Sequence, residues 1–241
     1  MQASAAIHPM EEKSSANWWV VLEVLAFTAL AFGSRLVFAE IAWAYSGPMS
    51  LLLTLVVLTL YMRARGVTWR DMGLIRLPGW KAKALVLPKA LVPFALFACV
   101  VALVLFVGEP MGLTRGDTSG VEARFGSVEG NLTMLLVWLA IVWTSAAFGE
   151  EMFFRGYMVT RLADGLAGVP GRLAIAVLLP ALIFGYGHYY YQGLFGLVMT
   201  GLIGLALGIS FLLLKRNLWP LVLVHGMIDT INFVALYLGE T

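Results

Sequence analysis

Apolar runs of about twenty residues, separated by short charged or glycine-rich stretches, fill this chain from Trp18 to Leu238. A helical membrane span needs about 20 mostly apolar residues. On that measure the pattern predicts seven spans, with six to eight possible: Trp18 to Trp43, Pro48 to Met62, Ala84 to Val107, Leu132 to Tyr157, Leu173 to Tyr190, Leu194 to Leu214 and Leu218 to Leu238. Glu23, Arg35 and Glu40 interrupt the first run. It can therefore be one tilted span, or a span and an interfacial helix broken at Gly33-Ser34. The predicted fold class is all-α, a polytopic transmembrane helix bundle in one domain. Gly201, Gly204 and Gly208 in the sixth run have the spacing of small residues that let membrane helices pack closely.

Composition strengthens the membrane reading. Of 241 residues, 61% are hydrophobic and 12% charged, with a mean hydropathy of +0.88, against roughly 45–50% apolar in soluble domains. A net charge of +2 is too small to imply a nucleic-acid partner; membrane lipid is the expected surrounding. The only cysteine, Cys99, lies in an apolar run and is expected to pack in the core. Met1 to Ala16, with His8, Glu11, Glu12 and Lys13, lacks the basic start of a cleavable signal peptide and reads as a solvated cytoplasmic tail.

The placement of charge predicts orientation. Arg63, Arg65, Arg70, Arg76, Lys81 and Lys83 crowd one loop around a lone Asp71; Arg155 to Arg172 and Lys215-Arg216 fall on the same face. The loop with Glu109, Asp117, Glu122 and Glu129 against Arg115 and Arg124 falls on the other. Since basic loops mark the cytoplasmic side, the N-terminus is expected inside and the C-terminus outside a plasma or inner membrane of bacterial or archaeal type. Glu23, Arg35 and Glu40 are expected to pair with each other or snorkel to the interface. Asn131-Leu132-Thr133 fits a glycosylation pattern but abuts a span.

Ionisable groups in mid-span are costly and call for a partner or a purpose. Three runs contain them: Gly149-Glu150-Glu151-Met152-Phe153-Phe154-Arg155, Phe184-Gly185-Tyr186-Gly187-His188 and His225-Gly226-Met227-Ile228-Asp229. Residues four apart share a helical face. Glu151 can therefore pair with Arg155, leaving Glu150 free as the candidate catalytic carboxyl. Phe184 can pack under His188, and His225 shares a face with Asp229. Together the three faces can surround a water molecule and a peptide carbonyl. Glu150 with His188 would activate the water, and His225 with Asp229 would hydrogen-bond the developing oxyanion.

The order EExxxR, FxxxH, HxxxN/D on separate apolar helices resembles the CAAX protease and bacteriocin-processing family, which includes the Ras-converting type of CAAX endopeptidase. The resemblance covers about the C-terminal 100 residues, from Leu132. It implies an intramembrane endopeptidase acting on a membrane-associated protein or peptide, with Glu150 and His188 as the water-activating pair, His225 and Asp229 stabilising the oxyanion, and Glu151, Arg155 and Phe184 in support. It divides the chain into a tail (1–16), N-terminal helices and loops (17–131) and a catalytic core (132–241). The family's last position is often Asn; Asp229 can donate only if protonated, and otherwise orients His225.

Other chemistries use similar residues. A proton or ion relay through Glu150, His188 and Asp229 would make a transporter, His188 and His225 could hold a haem, and a family member could serve as a non-proteolytic immunity or scaffold protein. No cofactor is expected. The alternative is zinc on Glu150, His188, His225 and Asp229, which are dispersed and lack an HExxH segment. His188 also lies deeper than the other three if its helix starts at Arg172 in water, unless 161–172 forms an interfacial or re-entrant segment or Pro180 bends the helix.

Overall fold

The computed structural model describes residues 16–240; His8 and the rest of the predicted tail before Ala16 lie outside the described residues. Helix α1 (Trp18–Ala42) starts where the Asn17 side chain accepts from the Trp19 amide at 3.2 Å. It runs unbroken through Gly33-Ser34 and ends at a 3₁₀ turn, Trp43–Tyr45. There follow α2 (Ser46–Ala64), α3 (Gly79–Ala84), α4 (Val86–Leu103), α5 (Ser119–Phe125) and α6 (Leu132–Ile141). Asn131 of the glycosylation pattern caps α6, accepting from the Met134 amide at 3.2 Å. The α6 rod continues through a π-helical stretch, Val142–Val159, into α7 (Thr160–Gly165). Helices α8 (Arg172–Leu213) and α9 (Trp219–Leu238) complete the bundle.

Among the described residues five stretches are long and apolar enough to cross a membrane: Trp18–Ala64, Gly79–Met111, Leu132–Gly165, Arg172–Leu213 and Trp219–Leu238. Two of them double back. The Tyr61 hydroxyl near the end of α2 donates to Glu23 near the start of α1 at 2.9 Å, so these helices are antiparallel around the Trp43–Tyr45 turn. Within α8 the chain reverses at Gly193, whose φ of 58° and ψ of −151° favour glycine. The result is an all-α polytopic bundle, the class that the apolar runs predict.

Small residues close the α8 hairpin. A Cβ on Gly185 would stand 2.4 Å from the Leu197 carbonyl oxygen, one on Gly204 3.2 Å from the Ala181 Cα, and one on Gly208 2.7 Å from Val177. Lipid tails compete with apolar side chains for contact, so close backbone approach is what membrane helices can gain from each other.

Four charge and packing expectations are revised. Glu23 pairs with neither Arg35 nor Glu40; it accepts from Arg161 Nε at 2.9 Å and Nη2 at 3.0 Å, and from the Tyr157 hydroxyl at 3.1 Å. The cause is the docking of the α1 start on α7, where the Asn17 amide meets the Gly165 carbonyl at 2.7 Å. Arg155 and Arg161 are not loop charges, because the rod extends to Gly165 and takes both into the protein. Arg124 is buried among Phe125, Trp138, Tyr190 and Tyr191 rather than solvated in its acidic loop. Cys99 is exposed on α4 instead of packed inside, since in a bilayer the outer face is as apolar as the core.

The basic loop between α2 and α3 folds under the bundle. Its Gly73 carbonyl accepts from the Leu218 amide at 3.1 Å, and its Ile75 carbonyl from Trp219 Nε1 at 2.8 Å, which anchors the start of α9. The Thr68 hydroxyl and amide donate to Asp71 in this loop and hold its carboxyl below the usual carboxylate range. Replacing Gly185 by alanine forces a Cβ onto backbone and is expected to lower the unfolding temperature in detergent, whereas Gly187→Ala, with only the Phe32 ring 3.8 Å away, should leave it nearly unchanged. Equal unfolding temperatures for the two variants would contradict the closeness of the hairpin.

Candidate active site

The π-helical stretch carries three of the predicted residues. Such i→i+5 pairing is rare beyond a single turn and is frequent at functional sites; here it extends over 18 residues. Glycines on this rod admit its neighbours. A Cβ on Gly149 would be 3.3 Å from Leu51 and Leu55 of α2, and one on Gly156 2.9 Å from the Met72 carbonyl.

Glu151 is fully buried and Arg155 is 2% exposed. Arg155 Nη1 donates to Glu151 Oε1 at 2.8 Å, Nη2 to the Gly204 carbonyl at 3.4 Å, and the guanidinium lies 4.6 Å from the centre of the Phe184 ring. His225 Nδ1 lies 2.9 Å from the same Glu151 Oε1. Glu151 therefore joins the rod to α9 as well as pairing with Arg155. Spacing could not have revealed this second contact, because its partners sit on different helices.

Helix α9 comes close enough for this because it has a glycine next to His225: a Cβ on Gly226 would be 2.6 Å from the Trp143 ring. With Nδ1 held by Glu151, His225 Nε2 faces Glu150 Oε2 at 3.8 Å and Asp229 Oδ2 at 3.5 Å. Both separations exceed ordinary hydrogen bonds and are of the kind bridged by a water or a substrate atom. The Glu150 and Asp229 side chains are 22% and 27% exposed, against 0% for Glu151, so the accessible carboxyls border the gap and the inaccessible one supports it.

His188 stands apart from this group. Its Nδ1 lies 2.9 Å from the Phe184 carbonyl, and its ring is 4.8 Å from the Phe184 ring. Phe184 in turn meets the His225 ring edge-on at 6.5 Å. No hydrogen bond or ion pair joins His188 to Glu150, His225 or Asp229 among the described residues. Helix α7 prolongs the rod to Gly165, a turn over 166–171 follows, and α8 begins at Arg172. The imidazole reaches back one turn toward Phe184. Among the described residues no three His, Cys, Asp or Glu side chains are grouped to hold a metal ion.

A layer of aromatic residues borders the site and was missed in the sequence reading. Tyr191 lies 5.8 Å from the His188 ring, and Phe233, one turn beyond Asp229, packs on Phe125 and Trp138 at 5.2 and 5.6 Å. The i, i+4, i+8 series His225, Asp229, Phe233 was the available signal.

Residues 132–231 match the family model described as type II CAAX prenyl endopeptidase Rce1-like. Over this segment the chain is similar to the CAAX protease family. No curated protein and no solved structure matches it. The matched segment begins at the first residue of α6 and ends just past Asp229, so it contains every residue of the cluster. That similarity points to endopeptidase activity of the CAAX type, and the long apolar helices are those of an integral membrane protein.

Removing one partner of a buried ion pair costs about 3–5 kcal/mol, whereas replacing the pair by apolar residues is often neutral. Arg155→Leu is therefore expected to unfold the protein at markedly lower denaturant, and Glu151→Leu/Arg155→Leu to recover most of the loss. Denaturant titration in detergent followed by tryptophan fluorescence reads both; a double variant as unstable as the single one would count against the pairing.

Proposed function

We propose that the protein is an intramembrane endopeptidase in which Glu150 activates a water molecule for attack on a peptide carbonyl. The observation that supports this reading is the convergence of Glu150, His225 Nε2 and Asp229 on a gap too wide for direct hydrogen bonds, beside a buried Glu151–Arg155 pair. Glu150 takes a proton from the water as its oxygen attacks the carbonyl carbon, and returns that proton to the amine that leaves when the C–N bond breaks. His225, donating through Nδ1 to Glu151, presents Nε2–H to the oxyanion; Asp229 in its protonated form donates beside it. Three carboxyls face Arg155 and a charged His225. One proton shared between Glu150 and Asp229 balances the site.

His188 enters from the α8 wall. A carbonyl oxygen only accepts, so the bond to Phe184 is made by Nδ1–H and leaves Nε2 as an acceptor in the neutral ring. That tautomer suits it to hold the water with Glu150 once substrate fills the gap. The reaction needs no metal in this scheme, and undiminished turnover after dialysis against a strong chelator is the corresponding observation. The substrate class is a membrane-associated protein or peptide, prenylated or not, and the N-terminus faces the cytoplasm.

Glu150→Gln is expected to lower cleavage by about 10²–10⁴-fold, the usual worth of a positioned acid–base group, with an unchanged unfolding temperature. Comparative proteomics of membranes containing equal amounts of either form measures this, and identical cleavage products in both would overturn the assignment. Asp229→Asn keeps a donor and should retain most activity, while Asp229→Ala should lose about 10²-fold or more, as for other oxyanion donors. Equal losses in the two variants would remove Asp229 from that role.

A further inference from the structure

Helix α1 closes on α2 and α7 rather than along α8, and a groove is left between α1 and the first arm of α8, residues 172–192. Leu25, Thr28, Ala29 and Phe32 line one side, and Leu182, Ile183 and Tyr186 the other, around a volume of about 430 Å³. Through Phe32 and Tyr186 it continues into a second space of about 250 Å³ that ends at Arg35, Tyr189 and Tyr190. From Leu25 to Arg35 the groove follows ten residues of helix, about 15 Å at 1.5 Å per residue, which is half of a hydrocarbon core of about 30 Å. Its length is that of one leaflet.

The closed end is positively charged without a counter-charge. The Arg35 guanidinium lies 3.3 Å from the centre of the Tyr190 ring, and Arg124 Nη1 donates to the Tyr190 hydroxyl from the other direction. The Nε atoms of both arginines are buried without a hydrogen-bond partner. Neither arginine forms an ion pair among the described residues. Two like charges converge on one tyrosine ring at the end of an apolar groove, a combination that matches an anionic head on an acyl chain. Tyrosines at this level are the side chains that favour the headgroup boundary.

We propose that the α1–α8 groove binds an anionic phospholipid, with one acyl chain along Leu25 to Tyr186 and the phosphate on Arg35. Tyr186 and Tyr189, which line it, flank His188 on the same arm, so the lipid sits against the helix that carries a site residue. The proposal concerns binding alone and stands or falls independently of proteolysis.

The full-length protein, reconstituted in vesicles of equal phosphatidylglycerol and phosphatidylcholine and released into mild detergent, would be weighed by native mass spectrometry. Wild type is expected to retain one phosphatidylglycerol in preference to phosphatidylcholine. Arg35→Gln should reduce that preference about fivefold, the worth of one arginine against an anionic headgroup. Ala29→Trp, a substitution at an exposed groove position that leaves the charge intact, should reduce retention of both lipids. An unchanged lipid ratio in folded Arg35→Gln, or unchanged retention in Ala29→Trp, would overturn the proposal. So would displacement of the retained lipid by millimolar inorganic phosphate, which would make the site one for a free anion.

Discussion

A carboxylate with no access to water has to be satisfied by its own protein, and Glu151 is held through one oxygen, Oε1, while Oε2 is buried without a hydrogen-bond partner among the described residues. Its Oε1 receives both Arg155, four residues on, and His225 from α9. Much of the site's arrangement follows from this junction. Arg155 is drawn inward, where its other nitrogen reaches the Gly204 carbonyl and its guanidinium covers Phe184, tying both arms of α8 to the rod. His225 is turned so that Nε2, the atom opposite the anchored one, points at Glu150 and Asp229. The adjacent glutamates thus separate in role by access: Glu151 is enclosed and holds the frame, while Glu150 stays beside the gap.

The helices can deliver these groups to one place because glycine is used where rods cross. Gly185, Gly204 and Gly208 close the α8 hairpin, Gly226 brings α9 onto Trp143, and Gly149 and Gly156 let α2 and the basic loop lie on the π-helical stretch. In lipid there is little hydrophobic gain from helix association, so short backbone distances and buried polar contacts carry the assembly. The N-terminal hairpin is held by the same means. Glu23 gathers Arg161, Tyr157 and Tyr61, fastening α1 and α2 to the rod that carries the site.

The match to the CAAX family model begins at α6, yet the helices and loops before it pack directly against the matched segment. The loop before α3 anchors the start of α9, α2 packs on the rod at Gly149, and α1 forms one wall of the groove behind His188. Residues outside the matched segment therefore set the position of those inside it. The aromatic layer of Trp138, Tyr191 and Phe233 has the same character, drawing on three different helices.

Apolar run length and local spacing were sufficient for the all-α membrane-helix class, the Glu151–Arg155 pair, the packing of Phe184 against His188 and the common face of His225 and Asp229. Each is decided within one helix, where backbone geometry alone brings residues four apart together. The His225–Glu151 bond, the partnership of Glu23 with Arg161, the burial of Arg124 and the separation of His188 from Glu150 were not legible in that way. They depend on which faces of different helices meet. In a membrane protein hydrophobicity does not mark those faces, because side chains toward lipid and toward the core are equally apolar; the exposed Cys99 shows the consequence. The sequence by itself determined the helices and the chemistry each one carries, and only the tertiary structure decided which of those groups share a site, because that choice rests on glycine-scale packing between rods.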